Sequence, residues 1–138
     1  MWATGYAGPA VDKCLIVKDK IRHSLSQGMQ AFVFNTRREV FKDRMVRQAL
    51  SYAFDFEWSN QNLFHGQYKR TKSYYSNSEL ASSGLPSPDE LMILEPYRDL
   101  LPAEVFNKEY QPPSTDGKSG IRNNLRTAAV LLKKAGWE

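Results

Sequence analysis

The pattern of apolar and polar positions changes from strand-like to helix-like between residues 29 and 54. Met29 to Phe34 is a short run of apolar and aromatic residues, and its length is typical of a strand. From Asp43 onward, apolar residues recur at spacings of three and four, which is the periodicity of an amphipathic helix. The apolar face of this helix consists of Val46, Ala49, Leu50, Ala53 and Phe54. The pattern therefore predicts a strand, a short turn and a helix that Asp43 caps.

Similar local signals predict the other elements. Cys14 to Val17 is a second short apolar run, and Asp55 can cap a helix that ends at Gly66. Ser87-Pro88-Asp89-Glu90 combines a capping box with proline at the first helical position, so a helix should extend to about Leu94. Ile121 to Ala135 should form the last helix, with Gly136 as its stop. We therefore predict a single partial domain comprising a strand region at 14–35, a helical region at 39–66, a loop at 67–86 and a helical region at 87–136.

The loop contains the least regular part of the chain. Residues 67–84 (QYKRTKSYYSNSELASSG) have no clean periodicity, and an ordered loop of this length is often functional. Its basic and aromatic stretch from Tyr68 to Tyr75 could stack on nucleobases and hold phosphates. It could equally be an exposed loop whose tyrosines pack on the domain. Residue types alone do not separate these two interpretations.

Composition and charge narrow the choice of function classes. The 138 residues suit one domain, and 19 basic against 15 acidic residues give a net charge of +4. Basic residues are densest between 37 and 47, but Glu39 and Asp43 interrupt them, which favours a solvated helix face over a nucleic-acid patch. The single cysteine, Cys14, excludes an intramolecular disulfide and is interpreted as a small buried apolar residue.

No arrangement of residues indicates catalysis. His23 and His65 are far apart, and the motifs of serine hydrolases, P-loop proteins, dinucleotide-binding proteins and zinc proteases are missing. Asp55 and Glu57 are two positions apart and would not face each other on a helix, so the spacing gives little support to a hydrolase site that includes His65. We therefore predict a protein that is not an enzyme and that uses neither a metal nor a cofactor.

Several spaced motifs resemble the extracellular solute-binding proteins of family 5, which are the peptide, nickel and oligopeptide receptors of ABC importers. The motifs are Phe34-Asn35-Thr36, Phe41-Lys42-Asp43, Val46-Arg47-Gln48-Ala49-Leu50 and Ala53-Phe54-Asp55. Further runs are similar to the YejA-type subgroup, which is associated with oligopeptides and the peptide-nucleotide antibiotic microcin C. These runs are Phe56-Glu57-Trp58, Tyr68-Lys69-Arg70-Thr71, Ser73 to Leu80, Leu94-Glu95-Pro96-Tyr97, and Asn124 to Trp137.

The resemblance implies an α/β fold, in which this chain is a helix-rich fragment of one lobe of a class II periplasmic binding protein with few short strands. Receptors of the family are several times longer than 138 residues, so the chain is expected to be an internal fragment. No signal peptide is visible in it, and a periplasmic location follows from the resemblance alone. The implied partners are a peptide or peptide-like ligand, an inner-membrane ABC permease and the missing remainder of the receptor. Apolar patches left by the missing remainder would favour self-association of the fragment into a homo-oligomer, and no nucleic acid is expected.

The resemblance also divides the candidate residues into two groups. By resemblance, the loop is the part that reaches the ligand cleft, through Tyr68, Arg70, Ser73, Tyr74 and Asn77. The alternative is that all five only order the loop. The second group is interpreted as structural and consists of Asn35, Arg37, Asp43, Arg47, Asp55 and Trp58. The competing function is a small basic module for single-stranded nucleic acid built on Tyr68 to Tyr75.

Overall fold

The computed structural model describes residues 5–117 and 120–138, and these residues are mainly helical. The α-helices are α1 (Pro9–Asp12), α2 (Glu39–Lys42), α3 (Arg44–Ala53), α4 (Phe56–Leu63), α5 (Pro88–Leu94), α6 (Glu104–Asn107) and α7 (Gly120–Lys134). A 3₁₀ helix, Glu95–Leu100, follows α5 directly. Within the described ranges, no helix is long and apolar enough to cross a bilayer.

Helices α3 and α7 pack against each other and form the centre of the fold. The buried apolar residues of the described chain lie on them: Val46 and Ala49 on α3, and Ala128 on α7. The predicted apolar face was too wide, because Leu50 and Phe54 are exposed, at 38% and 43%. Small alanines at the contact allow two helices to approach closely, so only a narrow stripe of each helix is covered.

The predicted strands at 14–17 and 29–34 were wrong, since no strand occurs in the part of the chain that the structure describes. Residues 17–35 have no regular secondary structure, and Phe32 and Val33 are 87% and 89% exposed. A strand is stable when its N–H and C=O groups pair with a neighbouring strand. Residues 5–117 and 120–138 offer this segment no such neighbour, which is why it forms no strand and leaves Phe32 and Val33 exposed.

The expectation that Cys14 is buried was also wrong. Cys14 is exposed and has a positive φ of 56°, two residues after the end of α1. Helix α1 has only four residues and buries none of them, so no core forms around the cysteine that follows it.

The helix boundaries that depended on local capping were confirmed. Asp43 accepts a hydrogen bond from the N–H of Met45 at 2.7 Å and caps α3. At α5, the Ser87 hydroxyl accepts from the N–H of Glu90 at 3.3 Å, while the Glu90 carboxylate accepts from the N–H of Ser87 at 2.7 Å. Each of these contacts joins residues at most three positions apart, so the sequence contains all the information that they need.

Candidate ligand-binding site

The segment from Gln111 to Asp116, called the connector below, is held by carboxylates at the N-terminus of α4. Glu57 accepts hydrogen bonds from the N–H of Thr115 at 3.0 Å and from its hydroxyl at 2.8 Å. The same hydroxyl lies 2.6 Å from the carboxylate of Asp55, which also caps α4 by accepting from the N–H of Trp58 at 3.0 Å. A hydroxyl carries one proton, so Thr115 donates to one of the two carboxylates at a time.

Arg70 fastens the connector from the other side. Its guanidinium donates to the carbonyl oxygen of Pro113 and, at 3.3 Å, to that of Ser51 at the end of α3. The guanidinium carbon also lies 5.7 Å and 5.9 Å from the ring centroids of Phe54 and Phe56. Arg70 therefore links the loop, α3 and the connector, while its role as a ligand-contacting residue stays a prediction.

Two of the other predicted ligand residues hold the loop in shape. The Ser73 hydroxyl accepts from the N–H of Ser82 at 3.1 Å. Asn77 has a positive φ of 70°, and its side-chain amide donates to the carbonyls of His23 at 2.8 Å and Leu25 at 2.9 Å. The loop is thereby tied to the extended segment 17–35.

The two predicted ligand-binding tyrosines differ in their contacts with the rest of the chain and in their exposure. The main-chain N–H and C=O of Tyr68 both bond to the side-chain amide of Asn60, at 3.0 Å and 2.8 Å. The Tyr68 ring meets Phe64 edge-on at a centroid distance of 4.9 Å. Tyr74, in contrast, is 78% exposed, which makes it the predicted residue whose ring is most accessible to a ligand.

An open groove of about 660 Å³ lies beside α4, between the loop and the connector. Of the predicted ligand residues, only Arg70 lines it. Its other lining residues are Phe56, Glu57, Asn60, Gln61, Lys69, Lys72, Gln111, Pro112, Ser114 and Asp116. The groove has mixed charge, because three cationic and two anionic side chains face it.

Sequence reasoning did not identify most of the groove, and one of its signals was overlooked. The run QPPSTDG received no role of its own in the sequence prediction, although its hydroxyls and carboxylate are concentrated in three residues, Ser114, Thr115 and Asp116. Their proximity to Glu57 depends on a fold that brings together residues 58 positions apart. That proximity could not be inferred from spacing.

The residues interpreted as structural lie before α2 and at the starts of α3 and α4. The side chain of Asn35 accepts from the N–H of Arg37 at 3.2 Å, which forms a turn before α2. Arg47 donates to the carbonyls of Phe41 at 2.6 Å and Lys42 at 2.7 Å, where α2 ends. The side chain of Arg37 is exposed, as is that of Trp58 on α4.

The hydrogen bonds from the connector also lower the pKa of Glu57. Partial burial acts to raise its pKa, but hydrogen bonds from Thr115 and Ser114 outweigh burial and hold the pKa below the ordinary value of 4.5. Asp55 shares the Thr115 hydroxyl, and Lys69, Arg70, Lys72 and Asp116 line the same groove. The ionised form of Glu57 is therefore the form that holds the connector.

We expect acid to release the connector from Glu57. Because the pKa in the folded state is lowered, the stabilisation by Glu57 is present above its ordinary pKa and is lost as the pH falls through the lowered value. In an NMR titration from about pH 6 to about pH 2, the amide proton of Thr115 should move toward its unfolded shift at the acidic end. Glu57→Gln should abolish this titration and Glu109→Gln should retain it. A Thr115 shift that stays constant throughout would contradict the assignment.

Comparison with known proteins shows the family to which the chain belongs. The sequence model of the bacterial extracellular solute-binding proteins, family 5 middle, matches residues 2–138. The chain belongs to this family of solute-binding proteins, whose fold is α/β, and the described residues form a helix-rich part of it.

Three relatives illustrate the similarity. The chain is 48% identical over 139 residues to the probable peptide-binding protein YejA of Agrobacterium fabrum (strain C58), and 45% identical over 136 residues to YejA of Escherichia coli (strain K12). It is 44% identical over 137 residues to the peptidoglycan-binding protein YepA of Agrobacterium fabrum. Each match covers 99% of this chain but only 22–23% of the relative. The chain therefore corresponds to less than a quarter of the length of these proteins.

The alternative of a single-stranded nucleic-acid module receives no support from these relatives or from the loop geometry. Arg70 is directed at main-chain carbonyls, and Lys72 donates to the side chain of Gln111. The stretch from Tyr68 to Tyr75 therefore lacks a continuous row of free cationic groups.

Proposed function

We propose that this chain is one segment of a periplasmic oligopeptide receptor that delivers its ligand to an inner-membrane ABC permease. The observation that carries this function is the family match over residues 2–138, together with 48% identity to a relative named a probable peptide-binding protein. Such a receptor works by closing two lobes over its ligand, and binding shifts an existing open–closed equilibrium. The extracellular location in the family name favours the periplasm.

Within the full receptor, the loop at 67–84 is the segment of this chain that contacts the ligand. The contacts of Ser73 and Asn77 hold the loop in one shape, so the exposed ring of Tyr74 is placed before a ligand arrives. Preorganisation of this kind lowers the entropic cost of binding. Arg70 uses two of its five N–H donors on the carbonyls of Pro113 and Ser51, and the others are available for a ligand carboxylate.

The rest of the receptor is the partner that covers the extended segment at 17–35. Phe32 and Val33 are among the most exposed apolar side chains of the described residues, and three quarters or more of each relative lies outside the matched region. When the chain is alone, the same apolar surface favours association with a second copy.

A substitution in the loop tests the ligand contact. In the full-length receptor, Tyr74→Ala should weaken peptide binding by a factor of about three to ten, because an aromatic contact contributes about 0.5–1.5 kcal/mol. Isothermal calorimetry with the same peptide checks the change. Tyr97→Ala removes another exposed tyrosine, outside the loop, and is the control. Equal losses for the two variants would argue against a ligand-contacting loop.

A further inference from the structure

Asp116, the last residue of the connector, differs from the other aspartates of the chain in its sequence neighbour and in its surroundings. It precedes Gly117, and no other aspartate in the sequence is followed by a glycine. Both residues are exposed and lie outside the helices. Among the described residues, the carboxylate of Asp116 has no hydrogen-bond or ion-pair partner, and the N–H of Gly117 has no acceptor. The two groups are therefore free to react with each other.

The main chain on both sides of this pair is held in place. The N–H of Thr115 donates to the carboxylate of Glu57 at 3.0 Å. On the other side, the N–H of Gly120 donates to the carbonyl of Gly117 at 2.9 Å, where α7 begins. Neither contact uses the carboxyl of Asp116 or the amide nitrogen that follows it. The fold thus fixes the neighbouring residues and leaves the reactive groups themselves exposed to water.

We propose that Asp116–Gly117 is a site of spontaneous covalent modification, at which Asp116 converts to isoaspartate through a cyclic imide. The main-chain nitrogen of Gly117 attacks Cγ of Asp116. An N–Cγ bond forms, and the carboxyl in its acid form loses its hydroxyl, which leaves as water with the amide proton.

The second step opens the imide. Water adds to the main-chain carbonyl carbon of Asp116 and breaks the bond from that carbon to the nitrogen. This water supplies the hydroxyl of the new carboxyl group and the proton of the restored N–H, so the chain now continues through Cβ and Cγ. Addition of water at Cγ instead restores aspartate. Water is the only co-reactant, and nothing is oxidised or reduced.

The other aspartates lack one or more of the conditions for this reaction. Glycine leaves the attacking nitrogen unhindered and adopts the backbone conformations that ring closure requires. Asp43 and Asp55 use their carboxylates as helix caps. Asp19 is exposed in irregular chain, but its carboxylate accepts from the N–H of Lys20 at 2.7 Å, and that neighbour carries a side chain. The remaining aspartates lie within helices: Asp12, Asp89 and Asp99.

The modification changes one edge of the groove. Asp116 is one of its two anionic lining residues, and isoaspartate keeps one carboxylate but moves it onto the carbon next to the main-chain N–H. The main chain between Thr115 and Gly120 also gains one methylene. We therefore expect the amide signals of Gly117 and Gly120 to shift in the modified chain. This assignment is independent of the proposed function, because it requires neither a ligand nor the remainder of the receptor.

Prolonged incubation of the purified chain in warm, neutral buffer tests the assignment. Peptide mapping with electron-transfer dissociation should locate isoaspartate at Asp116, together with a minor species that is lighter by one water and represents the imide. A methyltransferase specific for isoaspartyl carboxylates should methylate the incubated chain and not the fresh one. Asp19 in the same sample is the internal control and should stay aspartate, because it is equally outside the helices but is followed by Lys20.

Two variants separate the chemistry from changes in folding. Gly117→Ala should abolish the accumulation of isoaspartate. Gly117 has no left-handed φ and no heavy atom within 4 Å of the added Cβ, so the alanine fits without strain. Gly28→Ala meets the same conditions at a position distant in sequence and should leave the modification unchanged. Asp116→Glu keeps the charge but requires a six-membered ring, and it should also abolish the accumulation. Circular dichroism checks that each variant keeps its helices.

Three results would overturn the assignment. The first is an Asp116 that remains aspartate throughout the incubation. The second is an equal accumulation of isoaspartate in Gly117→Ala, which would show that the unhindered nitrogen is not required. The third is equal conversion at Asp19, which would show that exposure alone determines where the chain reacts.

Discussion

Ala128→Asp should unfold the α3–α7 pair and lower the free energy of unfolding by about 3 kcal/mol or more. Ala128 is 5% exposed and lies on the face of α7 that packs on α3, where Val46 and Ala49 are the other buried side chains. A carboxylate placed there loses its hydration and finds no cationic partner among these apolar side chains. Urea denaturation followed by the circular dichroism of the helices measures the change.

The next residue of α7 offers a matched control. Ala129 is exposed, so Ala129→Asp leaves the helix contact in place and costs only the difference in helix propensity, about 0.7 kcal/mol. If the two variants lost equal stability, the α3–α7 contact would not be the centre of the fold.

Arg70→Met should lower the free energy of unfolding by about 2–4 kcal/mol and free the connector. The substitution removes the hydrogen bonds from a charged group to Pro113 and Ser51. A well-formed bond of that kind contributes about 1.5–3 kcal/mol, and the 3.3 Å bond to Ser51 contributes less. It also removes the cation near the rings of Phe54 and Phe56. Arg70→Lys should rescue little of this loss, because an ammonium is a point charge without the planar fork of a guanidinium. The amide exchange of Thr115, which bonds to Glu57, reports release of the connector.

Arg44→Met is the control for charge removal, since Arg44 lies on an exposed position of α3. Arg44→Met should leave the midpoint of urea unfolding and the rate of amide hydrogen exchange at Thr115 unchanged. If Arg70→Met behaved like Arg44→Met, Arg70 would not fasten the connector, and its guanidinium would be free to serve a ligand.

The sequence predicted the helices best where a few neighbouring residues decide the structure. The caps at Asp43, Asp55 and Ser87 each join a side chain to an N–H two or three positions away, so their geometry is encoded locally. Glycines with positive φ after α4 and α7, Gly66 and Gly136, likewise lie where the helix stops were predicted.

The strand predictions failed for a physical reason. The apolar run from Met29 to Phe34 has a suitable composition, but strand formation requires a paired neighbour that the described residues do not contain.

The predicted width of the buried helix face was also wrong. Periodicity placed Leu50 and Phe54 on the core side, yet how much of a helix is covered depends on what packs against it, and both are exposed.

The candidate site could be predicted only in part. The irregular loop at 67–84 was recognisable as a functional segment from its length and composition. The groove was not, because its lining residues come from α4, the loop and the connector, which are far apart in sequence and which Arg70 helps to join. Only the folded chain shows that these side chains line one surface.

Calorimetry with one peptide panel tests most directly whether this chain is a segment whose ligand capture depends on the rest of its receptor. The panel is titrated into the chain alone and into the full-length receptor that contains it. We predict micromolar binding by the full-length receptor and no micromolar binding by the chain, because one segment cannot close two lobes over a peptide. Micromolar binding by the chain alone, or failure of the full-length receptor to bind any peptide, would contradict this account.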